Sequence, residues 1–312
     1  MMEYDAKLAF LQRILGRARF SSNTKEAEFF SPFCHHHKPK LSINLSTDNW
    51  RCWISGKNGK RLLFVLKSAQ ASSEDLREYL QKYKAESVKI TKTDDFEEFF
   101  RPKLPDGFVS LSCTNAASVR RAATYLKKRG ISDLDVLRHK IGTVTGGDFS
   151  ARIVFPSFNK AGYLNLFTAR SYDGHYLMPK VPVGYRNKIV INEMNINWKK
   201  PVVLTEGYVD MLKSIRNTIP LFGSSLVDDS LLMEKIVENN TEIHLALDAD
   251  AKIKSGFMAK KLAGYDISVY QVPLGDRSDV GEMTKPEFID RYKESVLWTP
   301  EQLFKERLKL LC

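Results

Sequence analysis

Three carboxylates stand where chemistry would need them. Glu206 closes the apolar run Pro201-Val-Val-Leu-Thr, and Asp248 and Asp250 close Glu242-Ile-His-Leu-Ala-Leu. Both runs read as buried strands, and in an open parallel sheet ligands gather at the carboxyl ends of the strands, so the three acids are expected to converge. On an extended chain the i, i+2 spacing turns Asp248 and Asp250 to one side, with Ala249 facing away. Asp276, Asp279 and Glu282 follow the next apolar run and are placed to close the cluster. So many carboxylates cannot stay ionised together without a cation. Hard oxygen donors select Mg²⁺ or Mn²⁺, and paired ions of that kind serve phosphoryl transfer. The competing reading is that these acids merely cap helices and solvate loops; their position at two strand ends favours the metal.

A second constellation lies near the start of the chain. Ser31-Pro-Phe-Cys34 and Cys52-Trp-Ile-Ser55 flank the run His35-His-His37 and a lysine-rich turn. Four cysteines in 312 residues do not make a disulfide framework. Two of them among histidines suggest zinc, held by Cys34, Cys52 and two histidines, His37 together with His35 more readily than His36, since alternate residues on an extended run share a side. Serine hydroxyls stay protonated and replace thiolates poorly, so a metal-free unit held by Phe33, Trp50, Trp53 and its strands is the competing expectation.

The elements that must carry these groups fall into several units. Leu8, Leu11, Ile14 and Leu15 recur at helical spacing; LSINLS and NWRCWIS read as strands. Acids, two prolines and a glycine over 94–107 read as a linker, separating a first unit, 1–93, from the rest. Within 108–198, SVRRAATYLKKRG is a basic helix closed by Gly130, followed by the strands RIVFPSF, GYLNLFTARS and HYLMPK, an α+β pattern. Over 199–290 strands alternate with helices in the rhythm of an open α/β sheet, and 291–312 reads as a helical tail. The fold class is thus a multi-unit combination of α+β and α/β.

Lys and Arg exceed Asp and Glu by 48 to 37, giving +11. That surplus points to a polyanionic partner, and nucleic acid is favoured over a membrane because no apolar run approaches the roughly 18 residues of a spanning helix. The acidic opening MMEYDAKLAFLQRIL lacks the positive start of a secretory signal, so a soluble intracellular protein is expected.

Leu204-Thr-Glu-Gly-Tyr-Val-Asp210 and Ala246-Leu-Asp-Ala-Asp250 resemble the two signature motifs of the Toprim domain. The resemblance extends to Tyr125–Ser132, Ile141-Gly142, Arg152–Pro156, Leu166–Arg170, Tyr176-Leu177, Gly223–Leu226 and Asp279–Met283, in the order of DnaG-type primases, over about residues 28 to 290. Compact bacteriophage primases look most similar. The resemblance implies a zinc-ribbon-like template-binding unit, degenerate at Ser31 and Ser55, then a basic nucleotide-binding subdomain and a Toprim sheet. It implies a nucleotidyltransferase that makes short RNA primers on single-stranded DNA from ribonucleoside triphosphates, at the replication fork in the cytoplasm, with a replicative helicase as a separate partner chain. Glu206, Asp248, Asp250 and Asp279 would hold Mg²⁺ or Mn²⁺, with Asp210 supporting catalysis, and Zn²⁺ is the cofactor of the intact ribbon. Arg152, Arg170 and Lys180 would meet nucleotide or template phosphates, which suits arginine's planar donors. Two positions depart from the pattern. Gly281 stands where the family often has a second acid, with Glu282 or Asp276 as substitutes, and His175 stands for a common lysine. A Toprim nuclease and an inactive single-strand-binding scaffold are the alternatives. No Walker A motif occurs, so no helicase motor is expected within these residues.

Overall fold

The computed structural model describes residues 4–21, 25–85, 102–112, 116–172, 186–222, 226–228 and 230–308. They form two compact units: Met1–Phe96 with Leu226–Asn240, and Glu97–Ser225 with Thr241–Cys312. The architecture is α+β and α/β with several open sheets. Among the described residues no helix is long and apolar enough to cross a membrane.

In the first unit, helix α1 (Asp5–Leu15) buries Phe10, Leu11 and Leu15. An antiparallel sheet follows in the order β1 (Arg19–Ser21), β2 (Glu26–Phe29), β3 (Leu41–Asn44), β4 (Trp50–Cys52), β5 (Asn58–Gly59). Its strands alternate as half-buried strands should: Ala27, Phe29, Leu41, Ile43, Trp50 and Cys52 are inside and their neighbours are not. Helices α2 (Leu63–Ser68) and α3 (Ser73–Glu78) complete the sequential part, α3 starting at a capping box between Ser72 and Asp75.

The sequence pattern assigns helix Leu231–Asn239 to the α/β sheet, between two of its strands. It packs in the first unit instead. Its Glu234 carboxylate, 1% exposed, meets Arg61 at 3.3 Å and Lys84 at 2.7 Å. A buried carboxylate needs such partners, and here the nearer in sequence, Lys84, stands 150 residues away in the chain.

In the second unit, an antiparallel sheet runs β6 (Phe108–Ser110), β7 (Gly142–Val144), β8 (Arg152–Phe158), β9 (Leu164–Ser171). Helix α4 (Ala117–Lys128) lays Val119, Ala122 and Leu126 inward and ends at left-handed Gly130 (φ +73°), as its sequence suggests. Helix α5 (Asp133–Arg138) follows. The second sheet has the order β11 (Thr218–Pro220), β10 (Val202–Thr205), β12 (Ile243–Ala246), β13 (Val269–Gln271), β14 (Val296–Leu297); the first four are parallel and β14 is antiparallel. Strands β10 and β12 are buried along their whole length, the signature of a parallel sheet covered on both faces. Each fully buried Val or Leu there contributes about 1.5–3 kcal/mol.

Helix α6 (Tyr208–Lys213) joins the two sheets: Tyr208, Met211 and Leu212 share one core with Ile153, Phe155 and Leu166. The basic subdomain and the parallel sheet are therefore one unit rather than two. Helix α7 is Leu231–Asn239, described above; α8 (Lys252–Ala263) and α9 (Lys285–Lys293) follow. The expected helical tail is also more than a tail. It supplies β14, and its helix α10 (Pro300–Leu308) packs on α8, where Leu303 lies so close to Gly256 that a Cβ there would sit 2.6 Å from Leu303 Cδ1.

Candidate active site

Strands β10 and β12 are neighbours, with Thr205 paired to Ala246, so the residues that follow leave the sheet side by side. Glu206 follows β10 directly, and its backbone carbonyl accepts the Phe222 N–H at 2.7 Å. Asp248 comes two residues after β12. The extended geometry expected for Asp248-Ala-Asp250 does not occur. The strand stops at Ala246, the Ala249 N–H bonds to Ser278 O at 2.8 Å, and residues Ala249–Ala251 form a turn of 3₁₀ helix. A lost ladder ends the period-2 alternation, and Asp250 is exposed while Asp248 is half-buried.

Desolvation, and then the charges of Glu206, Asp210, Asp279 and Asp250 in that order, push the Asp248 carboxyl up to about 7. Asp210, in the first turn of α6, is raised to about 6: burial dominates, Asp279 and Glu206 add to it, and the backbone N–H groups of Gly207 and Gly281 oppose it. The Gly207 N–H donates to Asp210 Oδ2 at 2.8 Å. Asp279 accepts the Glu282 N–H at 2.9 Å. Four of the predicted acids thus act on one another, and Asp250 contributes least. Asp276 and Glu282 are not among the charges acting on Asp248. The Glu282 carboxylate accepts the Ser278 N–H at 3.0 Å, which occupies it in its own turn.

Sequence reasoning missed three groups here. Lys254, on α8, approaches Glu206 at 3.9 Å. Lys213 Nζ donates to Met283 O at 2.8 Å; desolvation and Arg129 lower its pKa while Asp279 and Asp210 resist. Gly281, read from sequence as a missing acid, is a space: a Cβ there would stand 2.9 Å from Asp210 Oδ1 and 3.0 Å from Asp279 Oδ1. The backbone fits between two carboxylates where a side chain would not.

Whether these residues suit a hard divalent ion is decided by Asp248 Oδ1. That oxygen is buried with no hydrogen-bond partner, amid like charges that raise its pKa. An orphaned carboxylate oxygen in an all-oxygen donor set fits such an ion. Among the described residues no three His, Cys, Asp or Glu side chains are gathered closely enough to hold a metal as they stand.

The basic candidates separate. Arg152 pairs with Ser171, and Ile153 with Arg170, so the register places the two arginines on opposite faces of the β8–β9 ladder. Arg152 is buried on the face that packs Val154 and Ala169. Arg170 is exposed, on the face of Ile153 and Phe155 that shares a core with α6. Lys180 and His175 lie outside the described residues.

In the first unit, Cys34 Sγ and Cys52 Sγ stand 3.7 Å apart. Ser31 Oγ donates to Cys52 Sγ at 3.1 Å and the Ser55 N–H reaches it at 3.4 Å. Burial alone would raise the Cys52 thiol, but hydrogen bonds from Ser31 and Ser55 outweigh it and bring it down to about 6. The histidines do not join. His37 is exposed and its ring stacks on His36 at 4.4 Å, while His36 Nδ1 accepts the Lys38 N–H. The donor set of Cys34, His37 and Cys52 is therefore not assembled, and what converges instead is two thiols and two hydroxyl residues. Phe33 stacks between Trp50 (5.3 Å) and Phe64 (5.4 Å), a small aromatic core. Trp53, expected in it, is 58% exposed and carries the Arg51 guanidinium over its ring.

No protein-family model matches this chain. It is 23% identical over 308 residues to the DNA primase of Clostridium acetobutylicum, covering 80% of this chain and 50% of that protein. It is 25% identical over 194 residues to the DNA primase of Listeria innocua, covering 55% of this chain and 30% of that one. In sequence the chain is thus similar to these two bacterial DNA primases. It spans about half the length of the first of these relatives and less of the second. Among solved structures it is similar to the zinc-binding and RNA polymerase domains of the Aquifex aeolicus primase, with TM-score 0.49, 19% identity, and coverage of 90% of this chain and 81% of that one.

Proposed function

We propose that this chain synthesises short RNA primers on single-stranded DNA by metal-assisted nucleotidyl transfer, through a Toprim-type centre at the carboxyl ends of β10 and β12. The observation that carries the reading is the uncompensated carboxylate cluster around the orphaned Asp248 oxygen, in a chain related to primases. Glu206, Asp248, Asp250 and Asp279 would hold Mg²⁺ or Mn²⁺. When bound, such an ion neutralises charge that develops on the transferring phosphoryl group. Asp210 is the supporting acid: fixed by Gly207 and Gly281, it braces the Asp279 side of the cluster. Lys254 offsets charge at Glu206. The 3′-hydroxyl of one ribonucleotide attacks the α-phosphate of the next and pyrophosphate leaves, a reaction in which positioning and electrostatics dominate.

Arg170 is the better placed phosphate contact, because it is exposed on the face that shares a core with α6. Arg152, buried on the opposite face, contributes a fixed positive charge, and Lys180 is proposed as a phosphate contact on the sequence resemblance alone. Ribonucleoside triphosphates are the substrates, single-stranded DNA the template, and a replicative helicase encoded separately the partner. No zinc is assigned to the first unit, whose donors do not fit it.

The test is a primer-synthesis assay with labelled ribonucleotides, single-stranded DNA and Mg²⁺ or Mn²⁺. Short oligoribonucleotides support the reading. Template fragments would replace it with a nuclease, and binding without either product would leave a scaffold.

A further inference from the structure

The disagreement between the first unit and a zinc site has a chemical consequence. The pattern Ser31-x-x-Cys34 and Cys52-x-x-Ser55 leaves one thiol in each half, and the fold brings those two sulfurs to 3.7 Å. We propose that Cys34 and Cys52 are a modification site, forming a reversible intramolecular disulfide with a small-molecule disulfide as oxidant. The inference is independent of the primase reading.

Geometry carries it. An S–S bond is about 2.05 Å long, so the sulfurs must close by roughly 1.7 Å for the bond to form. The two sulfurs are also unequal. Cys34 is partly exposed, and Cys52 is fully buried. A hydroxyl and a backbone N–H, from Ser31 and Ser55, point at Cys52 Sγ and stabilise negative charge there. The serines therefore serve Cys52 as donors, which is the opposite of what a metal would ask of them. Among the described residues no third His, Cys, Asp or Glu joins the pair to hold a metal, and His37 stacks on His36.

The exchange proceeds in two steps. The Cys34 thiolate attacks one sulfur of the small disulfide; that S–S bond breaks and one small thiolate leaves. The Cys52 thiolate then attacks Cys34 Sγ and expels the second small thiolate. The two cysteine sulfurs are oxidised, the small disulfide is reduced to two thiols, and the two protons lost by Cys34 and Cys52 end on them.

The experiment uses the full chain carrying Cys113→Ser and Cys312→Ser, which leaves Cys34 and Cys52 as the only thiols. After zinc analysis the protein is equilibrated with mixtures of reduced and oxidised glutathione, quenched in acid, thiol-counted and weighed intact. The expected result is the joint loss of both thiols, a mass lower by two hydrogens, no glutathione adduct, and full reversal in excess reduced glutathione. Adding Cys52→Ser should trap a glutathione adduct on Cys34. The proposal is overturned if an adduct on Cys34 persists with Cys52 present, or if both thiols survive a wholly oxidised buffer. It is equally overturned if the protein carries one zinc per chain that protects both thiols.

Discussion

Two clusters of side chains invite comparison, Ser31, Cys34, Cys52 and Ser55 in the first unit and Glu206, Asp210, Asp248 and Asp279 in the second. At the first, every close contact is a hydrogen bond with a donor and an acceptor, and Cys52 sulfur is stabilised by its neighbours. At the second, neighbours destabilise one another, two carboxyls are raised to about 6 and about 7, and one buried oxygen has no partner. The same resemblance promised a metal at both. The contrast separates a satisfied cluster from one with unmet charge, and it is the unmet charge on which the proposed cation site rests.

Replacing the central acid should have the largest effect. On the proposed function, Asp248→Asn would remove a metal contact where the transition state develops charge, at a cost of several kcal/mol, so primer synthesis should fall by roughly a thousandfold. The same variant relieves repulsion in the metal-free protein. Its thermal midpoint in chelator should therefore rise while activity collapses, a pairing that neither a purely structural acid nor a misfolded variant would produce.

Rebuilding the other cluster sharpens the contrast from the opposite side. Ser31→Cys combined with Ser55→Cys restores four thiolates around one point, the complement of a closed structural zinc site. Elemental analysis should then find one zinc per chain, and chelation should lower the thermal midpoint of the first unit, which it should not do in the parent protein.

The pH dependence distinguishes the clusters more gently. Folded Asp248 and Asp210 keep their protons above the ordinary carboxylate value of 3.8, up to about 7 and about 6. The unfolded chain releases those protons earlier. These groups therefore favour the folded state below the ordinary value, and that contribution is lost as pH climbs through the folded values. In chelator, the thermal midpoint of the parent relative to Asp248→Asn should decline between about pH 4 and about pH 7. Saturating Mg²⁺ should flatten the decline.

The smallest effect expected is at Gly281. Gly281→Ala places a Cβ 2.9 Å from Asp210 Oδ1 and 3.0 Å from Asp279 Oδ1, so the carboxylates must shift. Overpacking of this kind costs about 1–3 kcal/mol. Primer synthesis should drop about tenfold, read by the same gel assay, with template binding retained.

Much of this was legible because buried strands and capped helices are local. The apolar runs before Glu206 and Asp248 became neighbouring parallel strands, and Gly130 closes α4 as its neighbours suggest. What escaped is what depends on distant partners. Asp250 lies exposed and adds least to the Asp248 cluster, because the strand stops at Ala246 and Ala249 bonds to Ser278 instead of continuing the extended chain. Helix α7 went to the first unit because Glu234 found Arg61 and Lys84. Gly281 reads as a lost acid until the two carboxyl oxygens beside it are seen. Trp53 looked like core by its type, yet a cation on its face suits the surface equally well.

The placement of α7 also has a temporal side. During synthesis the chain up to Phe96 emerges without the helix that covers part of it, and residues Leu226–Asn240 leave the ribosome only after the intervening segment. At about 5–20 residues per second that interval is roughly six to twenty-six seconds. For that time Arg61 and Lys84 wait without Glu234, and the surface that will receive Leu232, Met233 and Ile236 is bare. The nascent first unit is thus an open half-structure that a later stretch of message completes, and it is during this pause that a holding chaperone or an aggregating neighbour would find it.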